Sequence, residues 1–87
     1  MEFKISENEI NGINEKGEVM ARITYKQIED GVYNIDHTFV DESLRGQKIA
    51  QKLVELAIKE IEKKNGKVVA TCSYARHYLE KHGYDIT

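Results

Sequence analysis

At 87 residues the chain has room for one hydrophobic core, and residues 1–87 are expected to form a single domain. Its 40% hydrophobic and 32% charged residues exclude a disordered or a membrane-embedded chain, and no apolar run approaches the roughly 20 residues of a bilayer crossing. The formal net charge of −2 argues against a nucleic-acid binder, and the single cysteine, Cys72, excludes an intramolecular disulfide framework, which makes the cytoplasm the default location.

The first half of the chain reads as strands. Phe3 and Ile5 alternate with Glu2, Lys4 and Ser6 in a short strand without the long apolar stretch of a signal peptide. Val19, Ala21, Ile23 and Tyr25 alternate with Glu18, Met20, Arg22, Thr24 and Lys26, the period of a half-buried strand. Asn11-Gly12 and Lys16-Gly17 punctuate the stretch between these two. Asp30-Gly31 is a hairpin signal, after which Tyr33, Ile35, His37 and Phe39 are expected to share one face of a third strand. An antiparallel meander follows from this order.

The period changes after Asp41. Ile49, Leu53, Ala57 and Ile61 recur every four residues, joined by Val54, Leu56 and Ile58, which predicts an amphipathic helix of about four turns. Asn65-Gly66 ends it, with Lys63 and Lys64 in the last turn, where the helix dipole favours cations. Val68-Val69-Ala70 is a short apolar strand. Tyr74 to His82 reads as a second, shorter helix stopped by Gly83. The expected fold is therefore α+β, with a mostly antiparallel sheet, two helices and the order β-β-β-α-β-α.

Charge divides along the same line. Residues 1–44 hold four Lys/Arg against ten Asp/Glu, whereas residues 45–87 hold nine against five. The pattern reads either as solvated surface or as a second half that meets an anion, with an acidic first half left for a cationic partner. The segment that would meet the anion runs from strand end to helix start, through Arg45-Gly46-Gln47-Lys48-Ile49-Ala50. A helix N-terminus offers unpaired N–H groups and the positive end of the dipole, Gly46 permits close backbone approach, and Arg45, Lys48 and Lys52 add charge.

These residues resemble the pyrophosphate loop of the GNAT superfamily of acetyltransferases, (Gln/Arg)-x-x-Gly-x-(Gly/Ala), often seen as Arg-Gly-x-Gly-Ile-(Gly/Ala). Arg45, Gly46, Ile49 and Ala50 match, and Lys48 stands at the central glycine. Cys72 to Tyr84 resembles the superfamily's later segment, Asn-x-x-Ala-x-x-x-Tyr-x-Lys-x-Gly-Phe. Ala75, Lys81 and Gly83 match, Tyr84 stands for the Phe, Cys72 for the Asn and Leu79 for the Tyr, with Tyr78 one residue away. With His37-Thr38-Phe39-Val40, the whole is similar to the smallest GNAT-like proteins of about a hundred residues, over residues 30–84. Like them, the chain lacks the helices that larger members place after the first strand and that wall off the acceptor site.

The resemblance implies a minimal GNAT-like fold and transfer of an acetyl group from acetyl-CoA to an amine acceptor. It places coenzyme A against Phe39, Val40, Arg45, Gly46, Gln47, Lys48, Ile49, Ala50, Ser73 and Tyr74, with two strands splayed around the pantetheine arm. Cys72 is then a small buried hydrophobe, a wall of that channel, or a nucleophile with His37 as its base. His37 is a core histidine or a general base. Tyr78 is the hydroxyl that replaces the missing tyrosine as proton donor to the CoA thiolate. The spacing of His77, His82 and Cys72 suggests no metal site. Two other readings remain open: a CoA- or acyl-CoA-binding protein without turnover, and a GNAT-shaped module for a protein partner. The acceptor and the choice between monomer and homodimer are not specified by the sequence.

Overall fold

In the computed structural model, which describes residues 1–83, the alternating segments form one five-stranded sheet. The strands are β1 (Glu2–Ile5), β2 (Glu9–Ile13), β3 (Val19–Glu29), β4 (Val32–Val40) and β5 (Lys67–Ala70), hydrogen-bonded in that order. The first four run antiparallel, and β5 lies parallel to β4. That parallel pair needs a crossover, which α1 (Ile49–Lys63) supplies. A 3₁₀ turn, Glu42–Leu44, precedes α1, and α2 (Ser73–Lys81) follows β5. Tyr84, which the resemblance sets at the Phe, lies outside the described residues.

The core forms where the two periods meet. Ala21, Ile23 and Tyr25, two apart on β3, are buried together with Leu53, Val54, Ala57, Ile58 and Ile61 of α1 and Ala75 and Leu79 of α2. Each buried Leu, Ile or Val side chain among these contributes about 1.5–3 kcal/mol relative to exposure. Among the described residues, no helix is long and apolar enough to cross a membrane.

The expected fold class holds, and two details need correction. First, there is an additional strand, β2, so the order is β-β-β-β-α-β-α. Asn11-Gly12 lies inside it rather than in a turn; a Cβ on Gly12 would sit 2.6 Å from Met1 Sδ and 3.2 Å from Phe3 Cε1. The glycine marks a close approach within a strand, not a reversal. The reversals come at Ser6–Asn8, where Ser6 N–H donates to Glu9 O at 2.8 Å, and at Asn14, whose side chain accepts from the amides of Lys16 and Glu18.

Second, β4 carries a bulge. Thr24 pairs with His37 but its neighbour Tyr25 pairs with Ile35, which leaves Asp36 as the extra residue. An extra residue reverses the alternation beyond it. Ile35 is buried, but His37 and Phe39 are exposed, and Val40 is the residue that packs against the core. Hence His37 does not share an apolar face with Ile35.

Candidate active site

The pairing of β4 with β5 stops early. It runs from Val32↔Lys67 to Ile35↔Ala70, after which the amides of Thr71 and Cys72 both donate to the Ile35 carbonyl, at 3.1 and 3.2 Å. From there β4 continues to Val40, while the other chain turns into α2. The β5-facing edge of residues 36–40 is left open. Asp41 N–H donates back to Met20 O on β3 at 2.7 Å. Since backbone groups alternate along a strand, the amides of Val40 and Thr38 face the opening instead.

Cys72 sits at the head of this opening, half-buried, as the N-cap of α2. Its Sγ lies 3.4 Å from Thr38 Oγ1. Burial pushes the thiol up, but the Thr38 hydroxyl and the amides of Ala75, Tyr74 and Thr38 outweigh it and hold the thiol below its ordinary value. The amides of Tyr74 and Ala75 face the sulfur without closing a capping hydrogen bond. Among the described residues, no charged side chain enters this balance. The partner of the thiol is Thr38 rather than His37, because the alternation beyond the bulge turns the two side chains to opposite faces. Thr38 was quoted in the resemblance, yet nothing in a lone threonine on a strand marks it as a thiol partner.

The loop between β4 and α1 forms the second part. Asp41 caps the 3₁₀ turn by accepting from the Ser43 hydroxyl and amide, hydrogen bonds that lower its carboxyl pKa. After the turn, the amides of Gly46, Lys48, Ile49, Ala50 and Gln51 have no acceptor among the described residues, and the first bond of α1 is Lys52 N–H to Lys48 O. Gly46 takes φ +82°, and a Cβ there would meet nothing within 4 Å. Lys48, the residue at the motif's central glycine, keeps a left-handed conformation (φ 58°, ψ 30°) and caps α1 without a side-chain bond. Arg45, Gln47 and Lys48 are exposed, and Arg45 stands 4.0 Å from Glu42. Open amides, bare space over Gly46 and exposed cations fit a pyrophosphate.

The remaining expected residues divide. Ser73 and Tyr74 open α2, and Tyr74, 41% exposed, faces α1, with burial first and the charge of Glu55 second raising its pKa. Tyr78 lies farther along α2, stacked on His82 at 4.2 Å between ring centroids. It lines a groove between the helices with Gln51, Tyr74, His77 and Lys81. Leu79, at the motif's tyrosine position, is fully buried in the core. The structure joins Cys72 to Thr38 and Tyr78 to His82.

An opened parallel strand pair beside a basic helix start is the architecture of a GNAT acetyltransferase, and the comparisons agree. Residues 6–86 match the model of the GCN5-related N-acetyl-transferase family. The chain therefore belongs to that family. It is similar in structure to a GCN5-like protein from Staphylococcus aureus, with a TM-score of 0.76 and 36% identity over 93% of this chain and 79% of that one. An acetyltransferase from Bacillus cereus shares the fold (TM-score 0.66, 21% identity, 71% of this chain and 44% of that one). So does a ribosomal-protein-alanine N-acetyltransferase from Brucella melitensis (TM-score 0.67, 18% identity, 84% and 57%). The chain spans only about half of these last two. No curated protein matches its sequence.

Proposed function

We propose that this protein transfers the acetyl group of acetyl-CoA to an amine, holding coenzyme A with the loop of residues 45–50. The observation that carries the reading is the set of amides at Gly46 and from Lys48 to Gln51, without an acceptor among the described residues, beside the opening between β4 and β5. When bound, acetyl-CoA supplies an activated acetyl group as a thioester. Arg45, Gly46, Gln47, Lys48, Ile49 and Ala50 bind its pyrophosphate through backbone amides and positive charge. The amides of Thr38 and Val40 face the opening and supply hydrogen bonds to a carbonyl oxygen there. Phe39, Ser73 and Tyr74 flank the same opening.

For the chemistry, Cys72 is the proposed nucleophile. Its thiolate, favoured by Thr38 and the start of α2, forms the carbon–sulfur bond to the acetyl group as the bond to the CoA sulfur breaks. An amine then attacks this cysteine thioester and releases Cys72. Tyr78 is the proposed proton donor to the CoA thiolate. His37, exposed on the face away from Cys72, can receive the proton of the incoming amine only by way of solvent. An open cleft of about 500 Å³, lined by Glu7, Glu9 and Asp36 among others, favours a cationic acceptor. The cytoplasm, where acetyl-CoA is made and used, suits this reading.

Isothermal titration with CoA and acetyl-CoA tests the binding half. Micromolar binding that is lost in Gly46→Glu supports the loop, and binding unchanged in Gly46→Glu refutes it. Cys72→Ala tests the chemistry: abolished turnover fits the nucleophile, and retained turnover means the amine attacks the thioester directly. The full burial of Leu79 favours one alternative, a CoA-binding protein without turnover, because no hydroxyl stands at that position. Binding without acetylation across a broad amine panel would establish it.

A further inference from the structure

Asn34 is the buried polar residue among those described, 6% exposed and adjacent on β4 to the core residue Ile35. Its Nδ2 donates to Thr71 Oγ1 at 3.0 Å, and its buried Oδ1 has no partner among the described residues. A buried acceptor without a partner destabilises a fold, and an apolar side chain on this strand would remove it. The bond to Thr71 is what the amide provides in return. Its location is specific: Asn34↔Val69 and Ile35↔Ala70 are the last two rungs of the parallel pair. One residue on, the Ile35 carbonyl accepts from both Thr71 and Cys72. Adjacent residues of β4 thus hold adjacent residues of the departing chain, one by side chain and one by backbone. The next group along is the Cys72 thiol, 3.4 Å from Thr38 on the same strand β4.

We propose that Asn34 and Thr71 form a clamp that fixes where β4 and β5 part and so sets the Cys72 thiol against Thr38. Both are positioning residues, acting through the backbone of Cys72. The proposal rests on the functional reading only in taking the opening as the acetyl-CoA site; the clamp itself is a statement about Cys72.

Cys72 is the sole cysteine of the chain, so iodoacetamide alkylation reads it alone. The rate is measured against pH for the wild type, Asn34→Val, Thr71→Val and Thr71→Ser, with thermal melting and acetyl-CoA titration alongside. Because none of the described charged side chains sets the thiol's pKa, a moved profile reports the hydrogen bonds around it. Asn34→Val and Thr71→Val are expected to move the alkylation midpoint upward and to weaken acetyl-CoA binding about fivefold, the weight of one hydrogen bond. Thr71→Ser should restore both, and Asn34→Val should melt no lower than the wild type. Folded Asn34→Val and Thr71→Val with the wild-type profile would overturn the clamp, whatever they do to acetyl-CoA. A moved profile in a protein that does not bind acetyl-CoA would uphold the clamp and remove the functional reading instead.

Discussion

The two ends of α1 are built on opposite plans, although each contains a non-glycine residue at φ 58°: Lys48 before the helix and Asn65 after it. At the C-terminal end the amides of Lys64, Asn65 and Gly66 are satisfied by the carbonyls of Ile61 and Glu62. Gly66 is packed so closely that a Cβ would lie 2.6 Å from Tyr33 Cδ1 and 2.9 Å from Ile61 Cγ2. Above that contact, Lys64 Nζ stands 5.3 Å from the centre of the Tyr33 ring. At the N-terminal end, by contrast, successive amides have no acceptor among the described residues, and Gly46 faces open space. Asparagine visits the left-handed region readily, and lysine does so only against strain. One end is finished by the protein itself, and the other leaves its amides open among the described residues.

The largest test of that contrast compares two glycines. Gly66→Ala is expected to lose about 2 kcal/mol in urea unfolding, because the new methyl displaces the Tyr33 ring from the core edge. Gly46→Ala should lose only about 1 kcal/mol, the strain of a left-handed alanine, since no neighbour obstructs it. Its clearer effect should be on CoA affinity, which Gly66→Ala should leave unchanged while folded. If Gly66→Ala costs no more than Gly46→Ala, the C-terminal end is looser than its contacts imply.

A smaller effect of opposite sign is expected from the two residues at φ 58°. Lys48→Gly should gain about 0.5 kcal/mol, the relieved strain exceeding the added chain entropy of glycine. Asn65→Gly should change stability by less. Should Lys48 supply charge to the phosphates, Lys48→Gly would bind CoA more weakly despite its higher stability, with the difference shrinking at high salt. Unchanged or tighter binding at every salt concentration would show that the motif's glycine is the better residue here.

Much of this was legible in the residues. The four-residue recurrence from Ile49 to Ile61 gave α1, the alternation around Ala21 gave β3, and Arg45-Gly46 with Ile49-Ala50 marked the loop. What escaped were features that depend on register between strands. Asn11-Gly12 carries the local signature of a turn, and only the close packing of Phe3 and Ala21 on Gly12 explains its place in β2. The bulge at Asp36 reverses the alternation of β4, so His37 and Phe39, in phase with Ile35 by sequence, are not in phase by structure. The roles of Thr38 and Thr71 were hidden for the same reason: each matters through a partner more than thirty positions away.

The start of α2 offers the finest comparison, since it shares the open plan of α1 but has a thiol among its amides. The Thr38 hydroxyl and the α2 amides that face the sulfur hold the Cys72 thiol below its ordinary value. A group whose folded pKa is depressed adds stability above its unfolded pKa, and that stability is lost as pH falls through the folded value. Folding stability should therefore rise, for this residue, as pH increases from the folded pKa towards about 9. Cys72→Ala lacks the group, so the stability gap between wild type and variant should move in the wild type's favour over that interval. The change should be the smallest of those described, because the thiol is only half-buried and solvent screens it. A gap that stays flat with pH would mean that the thiol loses its proton at the same pH folded and unfolded, and the open amides of α2 would then be no more than an ordinary helix start.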